Sequence, residues 1–398
     1  MSTHVISKQQ AIILIVLVLG GFSFGMAEFI TIWLSPVIAA ELKTNSSNIN
    51  SAVSYYAFGV MLGVTLLTSL IKRMSHQKMM TLLLFWCFLG NILTSFVTSW
   101  EQLRLARFFS GMPHGMYFGI ASMILIQMLP KQRHGFGIGT LMSGIGMALL
   151  LIVPVSIYLG DYQNWRIVAR AIGLLDLLII VLLQDLLTEA PPPPDTTANI
   201  SIWNSLKNPL LWWVAIIGIT AFCGRMAVFA YAEPIFLEIS KLPKQHLPFA
   251  VMVSGIGTIL GFILGGILAD KHLYRTLFGA FVYCIIATVM FNMLSPYPIG
   301  FYLGFFFLSA CTVFLPALQL LIIQCSPKAP TFASCLNHGT LNIGNAIGPL
   351  LGSYLIVSGF GWLSVTWMGM VFNIITILVL AVGYQHAQKF IAQNNQTS

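Results

Sequence analysis

The residues able to do chemistry are few, and each interrupts or ends a long apolar run: Glu28, Arg107, His114, Asp176, Arg225, Glu233 and His338. An ionisable group in hydrocarbon costs about 2.5–3.5 kcal/mol on insertion scales, so by default it marks an ion path, a substrate contact or a buried pair. Glu28 lies 17 residues beyond Ala11, where the first run begins, or about 26 Å along a helix. Arg107 sits five residues into a run that starts near Gln102 at the opposite face, about 8 Å in. In a core about 30 Å thick both fall in the same outer third.

For Glu28 the alternatives are proton coupling and a purely structural partnership with Arg107. For Arg107 they are a part in that coupling and a fixed countercharge. His114 follows Arg107 by two helical turns on the same face, near mid-membrane. Imidazole titrates at about pH 6.5 and so suits proton exchange, whereas a histidine packed beside Gly111 and Gly115 would serve only the fold. Arg225 reads as an anchor for an anionic or hydroxylated substrate, or as the partner of Glu233. Glu233 itself reads as an interface residue; for His338 packing is one reading and its role stays open, and Asp176 has no reading.

These side chains must be carried by membrane-spanning helices. The chain has 398 residues, 57% hydrophobic and 8% charged, with a mean hydropathy of +0.87. Soluble domains are about 25% charged, so this surface suits lipid and not water. The net charge of +8 is therefore a matter of topology and not of nucleic acid. Breaks near 41–48, 72–78, 99–104, 130–134, 160–166, 188–208, 238–247, 270–275, 295–298, 326–331 and 358–362 separate twelve apolar runs. Each is long enough for the roughly 20 residues of a spanning helix, and none alternates as a β-barrel strand would. The first run is too long for a signal-peptide core and reads as a retained span. The expected class is all-α, a polytopic membrane protein with twelve transmembrane helices.

With the N-terminus inside, eleven of the nineteen Lys and Arg residues fall in cytoplasmic segments, which favours both termini inside. Cys87, Cys223, Cys284, Cys311, Cys325 and Cys335 lie in or beside apolar runs without CxxC spacing. They read as packing residues, with no disulfide, metal site or cofactor implied.

Residues 188–208, containing Pro191 to Pro194, divide the chain into halves 1–187 and 209–398. A shift of 198 aligns Phe24 with Phe222, Pro36 with Pro234, Gly59 with Gly257, and Leu62–Gly63 with Leu260–Gly261; a shift of 197 aligns Trp165 with Trp362. Glu28 then corresponds to Met226, beside Arg225. Two six-helix halves with a substrate path between them are the expected arrangement.

The stretch 265–275, GGILADKHLYR, resembles the G-x-x-x-D-[RK]-x-x-x-R signature of the major facilitator superfamily through Gly266, Asp270, Lys271 and Arg275. Here a small Gly admits a neighbouring helix and Asp270 suits a helix N-terminus, so the four read as a conformational latch. The first-half counterpart has Thr68 and Lys72 instead of Gly and Asp. The stretches around Arg107, Gly111, His114, Gly115 and Gly119, around Gly144, Pro154 and Gly160, and around Gly344, Gly348 and Pro349 resemble the drug:proton antiporters that include arabinose-efflux and chloramphenicol-resistance permeases. Leu149 to Leu151 depart from the antiporter Gly-Pro pair, leaving Pro154 alone. The last six Gly and Pro positions read as helix-packing motifs.

That resemblance implies efflux of a small amphipathic compound or sugar, exchanged for protons by a monomer in the bacterial cytoplasmic membrane. It places the first and fourth helices on the central path, with Glu28, Arg107 and His114 as the coupling set. Phe24, Tyr117, Phe118, Arg225, Phe229 and Tyr231 then read as path residues, the aromatics as an adaptable apolar wall. A proton-linked metabolite importer is the alternative. An integral-membrane enzyme is a third reading, although the chain has no HExxH pattern and no GxxxxGK[ST] loop for catalysis or direct ATP drive.

Overall fold

The computed structural model describes residues 6–71, 74–152, 165–187 and 205–396, and they contain no strand. The first half comprises α1 (Lys8–Trp33), α2 (Ser46–Ile71), α3 (His76–Phe96), α4 (Trp100–Met128), α5 (His134–Met147, continued by a π turn, Ala148–Ile152) and α6 (Trp165–Leu186). In the second half α7 is Pro209–Phe229, and Leu247–Leu294 forms α8 and α9, divided at the single non-helical residue His272 (φ −151°, ψ 83°). It continues with α10 (Pro298–Ser309, running through Ala310–Val313 into Phe314–Gln324), α11 (Pro330–Leu355) and α12 (Ser364–Gln396).

Helix starts follow local chemistry. Ser7, Ser75, Ser99 and Asn208 each accept a first-turn backbone N–H, satisfying a donor that the helix leaves open. Proline occupies the first turns of α7, α8, α10 and α11, where its missing N–H costs nothing. Nine described stretches are long and apolar enough to span a membrane, one of them being α8 and α9 together. The remaining two helices are α2, whose apolar part is shorter, and α4, which buries Arg107, Ser110, His114 and Ser122. An interior helix lined with polar residues is less apolar than a peripheral one, so the functional helix is the harder to see by hydropathy.

The repeat has a packing basis. A Cβ on Gly59 or Gly63 of α2 would overlap the carbonyl oxygens of Phe108 and Met112 on α4; on Gly257 or Gly261 of α8 it would overlap those of Phe306 and Ala310 on α10. Both the glycines and the carbonyls they face are 198 residues apart. Likewise Gly144 presses on the α1 backbone at Val18 and Phe22, and Gly344 on the α7 backbone at Ile219 and Cys223. Such close crossings lengthen dispersion contact where burial between helices has little hydrophobic drive.

Glycines also form the main seam between the halves. Gly135 abuts Gly266, Gly139 the Phe262 carbonyl, and Gly146 the α8 backbone at Gly255 and Ile259. On the other side α11 meets α4, where Gly119 lies against Cys335 and Ser334 Oγ donates to the Gly119 carbonyl at 2.8 Å. All six cysteines are buried, and none forms a disulfide.

Candidate functional site

A cavity of about 70 Å³ lies between the halves. Its polar lining is Glu28, His114, Arg225, Thr258, Thr312, His338 and Asn342; the remainder is apolar, including Phe29, Met142, Phe222 and Phe229. Two repeat-related pairs, Glu28 with Met226 and His114 with Thr312, face it from both halves. At these two pairs the first half carries an ionisable side chain and the second a neutral one, while Arg225 and His338 add ionisable groups from other positions of the second half.

Glu28 and Arg107 are neighbours but not an ion pair. The fully buried Arg107 guanidinium donates to the main-chain carbonyls of Ala27 and Glu28 and stacks 4.4 Å over the Tyr56 ring. Its Nε has no partner. A carbonyl oxygen already used in a helix keeps a second lone pair, which lets arginine grip α1 by its backbone. The Glu28 carboxylate instead accepts from Asn345 Nδ2 on α11 at 3.3 Å, in the opposite half. Among the described residues the one ion pair is Arg166–Glu41, at 2.8 Å.

The Tyr56 hydroxyl lies 2.8 Å from His114 Nδ1, so a single tyrosine carries Arg107 on its face and holds the histidine by its edge. His114 and His338 approach across the halves with ring centroids 6.5 Å apart. Phe118 stacks on His338 at 5.1 Å and tilts against His114 at 5.0 Å. His338 Nε2 is buried without a hydrogen-bond partner. Tyr56, Thr258 and Asn345 escaped the sequence reading because neutral residues in apolar runs leave no charge signal. The N-x-x-N spacing of Asn342 and Asn345 on one helix face was the available clue.

Of the expected path residues, Arg225 and Phe229 line the cavity. The Arg225 guanidinium lies 5.2 Å from the Phe229 ring centre and 5.7 Å from that of Phe222, with Nε unpartnered; it makes no ion pair with Glu233. Phe24, Tyr117 and Phe118 do not line it. All three are fully buried, Phe118 against His338 of the second half and the others where α1 crosses α4 so closely that a Cβ on Gly20 would overlap the Tyr117 ring; Tyr117 donates to the Leu17 carbonyl at 2.7 Å. Tyr231 lies beyond the end of α7 and donates to the Pro349 carbonyl at 2.8 Å.

The latch motif divides in two. Asp270 accepts the backbone N–H groups of Gly135 at 2.6 Å and Phe136 at 2.8 Å, at the start of α5, and Gly266 meets Gly135 beside it. Lys271 and Arg275 are exposed and make no ion pair among the described residues, where an ionic latch was expected. Gly348 packs on the α7 backbone at Cys223 and Ala227; Pro154 and Gly160 lie outside the described residues. The fully buried Asp176 receives the Ser23 hydroxyl at 2.6 Å and the Asn91 amide at 3.3 Å, tying α6 to α1 and α3. Among the described residues no cluster of three or more His, Cys, Asp or Glu could hold a metal.

The model for the Major Facilitator Superfamily matches residues 17–310 and 244–395. The chain is 26% identical to the inner membrane transport protein YdhP of Escherichia coli K12, over 94% of this chain and 96% of that protein. It is 23% identical to the putative transporter AraJ of the same strain, covering 88% and 89%. A probable sugar efflux transporter of Helicobacter pylori J99 is 25% identical, covering 85% and 86%. The crystal structure of the human organic anion transporter MFSD10 (TETRAN) shares the fold, with a TM-score of 0.72 and 12% identity over 94% of this chain and all of that one. With twelve helices in two repeated halves around a central cavity, and a family match along nearly its whole length, the chain belongs to the Major Facilitator Superfamily of membrane transporters.

Proposed function

We propose that the protein exports small amphipathic compounds or sugars across the bacterial cytoplasmic membrane in exchange for protons, as a monomer working by alternating access. The observation that carries this reading is the polar inventory of the cavity. Glu28 and Arg225 face it from opposite halves, and neither is neutralised by an ion pair. Arg225 Nε, Thr258 Oγ1 and His338 Nε2 around it, with Asn345 Oδ1 beside Glu28, have no protein partner. Buried polar atoms without partners are costly, so a site that keeps four of them is suited to a solute bearing donors and acceptors on an apolar body. Glu28 and His114 are the coupling groups in this reading, and Arg107 and Tyr56 position them. The sugar-efflux relatives favour export.

In this reading the cavity binds a solute and exchanges protons and carries out no bond-breaking chemistry. Both termini are placed in the cytoplasm by the Lys and Arg distribution, with residues 188–208 as the linker between halves 1–187 and 209–398. Everted vesicles containing the protein, offered a panel of sugars and amphiphiles with and without an imposed pH gradient, test the proposal. Gradient-dependent accumulation of a solute inside them supports export, gradient-driven movement in the other direction makes the protein an importer, and flux indifferent to the pH gradient removes proton coupling.

A further inference from the structure

A second concavity lies on the outer surface of the second half, away from the central cavity. Its floor is α8 at Leu260, Leu264 and Leu268, its walls are Gly279 and Tyr283 on α9 and Phe306 on α10, and Lys271, His272 and Arg275 stand at one end. The leucines are exposed, and a Cβ on Gly279 would meet nothing within 4 Å, so the trough is open along its side. From Leu260 to Lys271 is about 16 Å along a helix, close to half of a hydrocarbon core about 30 Å thick. The trough thus has the depth of one leaflet, with its cations at headgroup level.

Its charge is uncompensated. Asp270 is the sole acidic residue between 260 and 310, and its carboxylate is committed to the N–H groups of Gly135 and Phe136. Lys271 and Arg275 make no side-chain hydrogen bond or ion pair among the described residues. Basic residues at the mouth of an apolar groove between spanning helices recognise anionic headgroups.

We propose that this groove binds one anionic phospholipid, with its acyl chains along Leu260, Leu264 and Leu268 and its phosphate on Lys271 and Arg275. The lipid would steady the turn whose preceding residue, Asp270, holds the two halves together, so bilayer composition would bear on closure. The inference rests on the fold and the groove and is independent of the transported solute.

The test uses the full-length chain, delipidated in detergent and titrated with dioleoyl phosphatidylglycerol and dioleoyl phosphatidylcholine at equal concentrations, with bound lipid counted by native mass spectrometry. The parent should retain phosphatidylglycerol preferentially. The double variant Lys271→Gln/Arg275→Gln should lose about thirtyfold in that preference, as expected for two interfacial cations. Gly279→Phe, which fills the open side and keeps both cations, should also release the lipid. Equal retention of the two lipids by the parent overturns the proposal, as does undiminished phosphatidylglycerol binding by the double variant. Undiminished binding by Gly279→Phe overturns the groove as its seat. Because both cations are exposed, the double variant should keep the parent's melting temperature; were either variant not to fold, the lipid ratio of the parent alone decides.

Discussion

Glu28 bonds to Asn345 of the other half, and Arg107 grips α1 by its backbone, so the two can be separated by substitution. Glu28→Gln keeps a partner for Asn345 and removes the charge. It should bind substrate with the parent's affinity and lose flux driven by a pH gradient, with both measured on the same purified protein. Full gradient-driven flux in that variant would move coupling to His114. Tyr56→Phe keeps the ring beneath Arg107 and deletes the 2.8 Å contact to His114. Stability should fall by only about 1 kcal/mol, while the pH profile of transport shifts; an unchanged profile would make that contact structural. Asp176, bonded to Ser23 and Asn91, shows how much a single sequence can hide: its type and depth were legible, but its partners sit on two other helices, α1 and α3, far from it in the chain.

At the level of helices, the close crossings make firm demands. Gly63→Val would drive side-chain atoms into the Met112 carbonyl, and overpacking of this kind costs about 1–3 kcal/mol, so the purified variant should melt below the parent; an equal melting temperature would show that α2 can move aside. Asp270→Asn should weaken the hold on α5 by about 1–2 kcal/mol and slow transport without lowering helicity or yield in the membrane. The number and order of the helices were legible because a bilayer requires long apolar runs, and the duplication was legible because Gly59, Gly63, Gly257 and Gly261 recur where backbones touch. The azimuth of each helix was not legible. Phe24 lies one turn from Glu28, yet faces α4 and not the cavity, since only neighbouring backbones decide which side of α1 is free. Arg107 was assigned a carboxylate partner because charges show in a sequence, whereas a carbonyl on α1 that can accept a second hydrogen bond does not.

For the whole molecule, orientation is the first quantity to measure. Cysteine placed at Asp195, in a background without the six native cysteines, should resist impermeant thiol reagents in intact cells and react after permeabilisation. Ready labelling in intact cells would invert the assigned topology. Once the sides are known, the seam between α5 and α8 bears on speed. Gly135, Gly139, Gly146, Gly255 and Gly266 present almost no side chain there, so few rotamers must be released when one half turns against the other. In the proposed alternating access the friction of that turn would be low, and the paired N–H bonds to Asp270 would act as a detent on an otherwise smooth bearing.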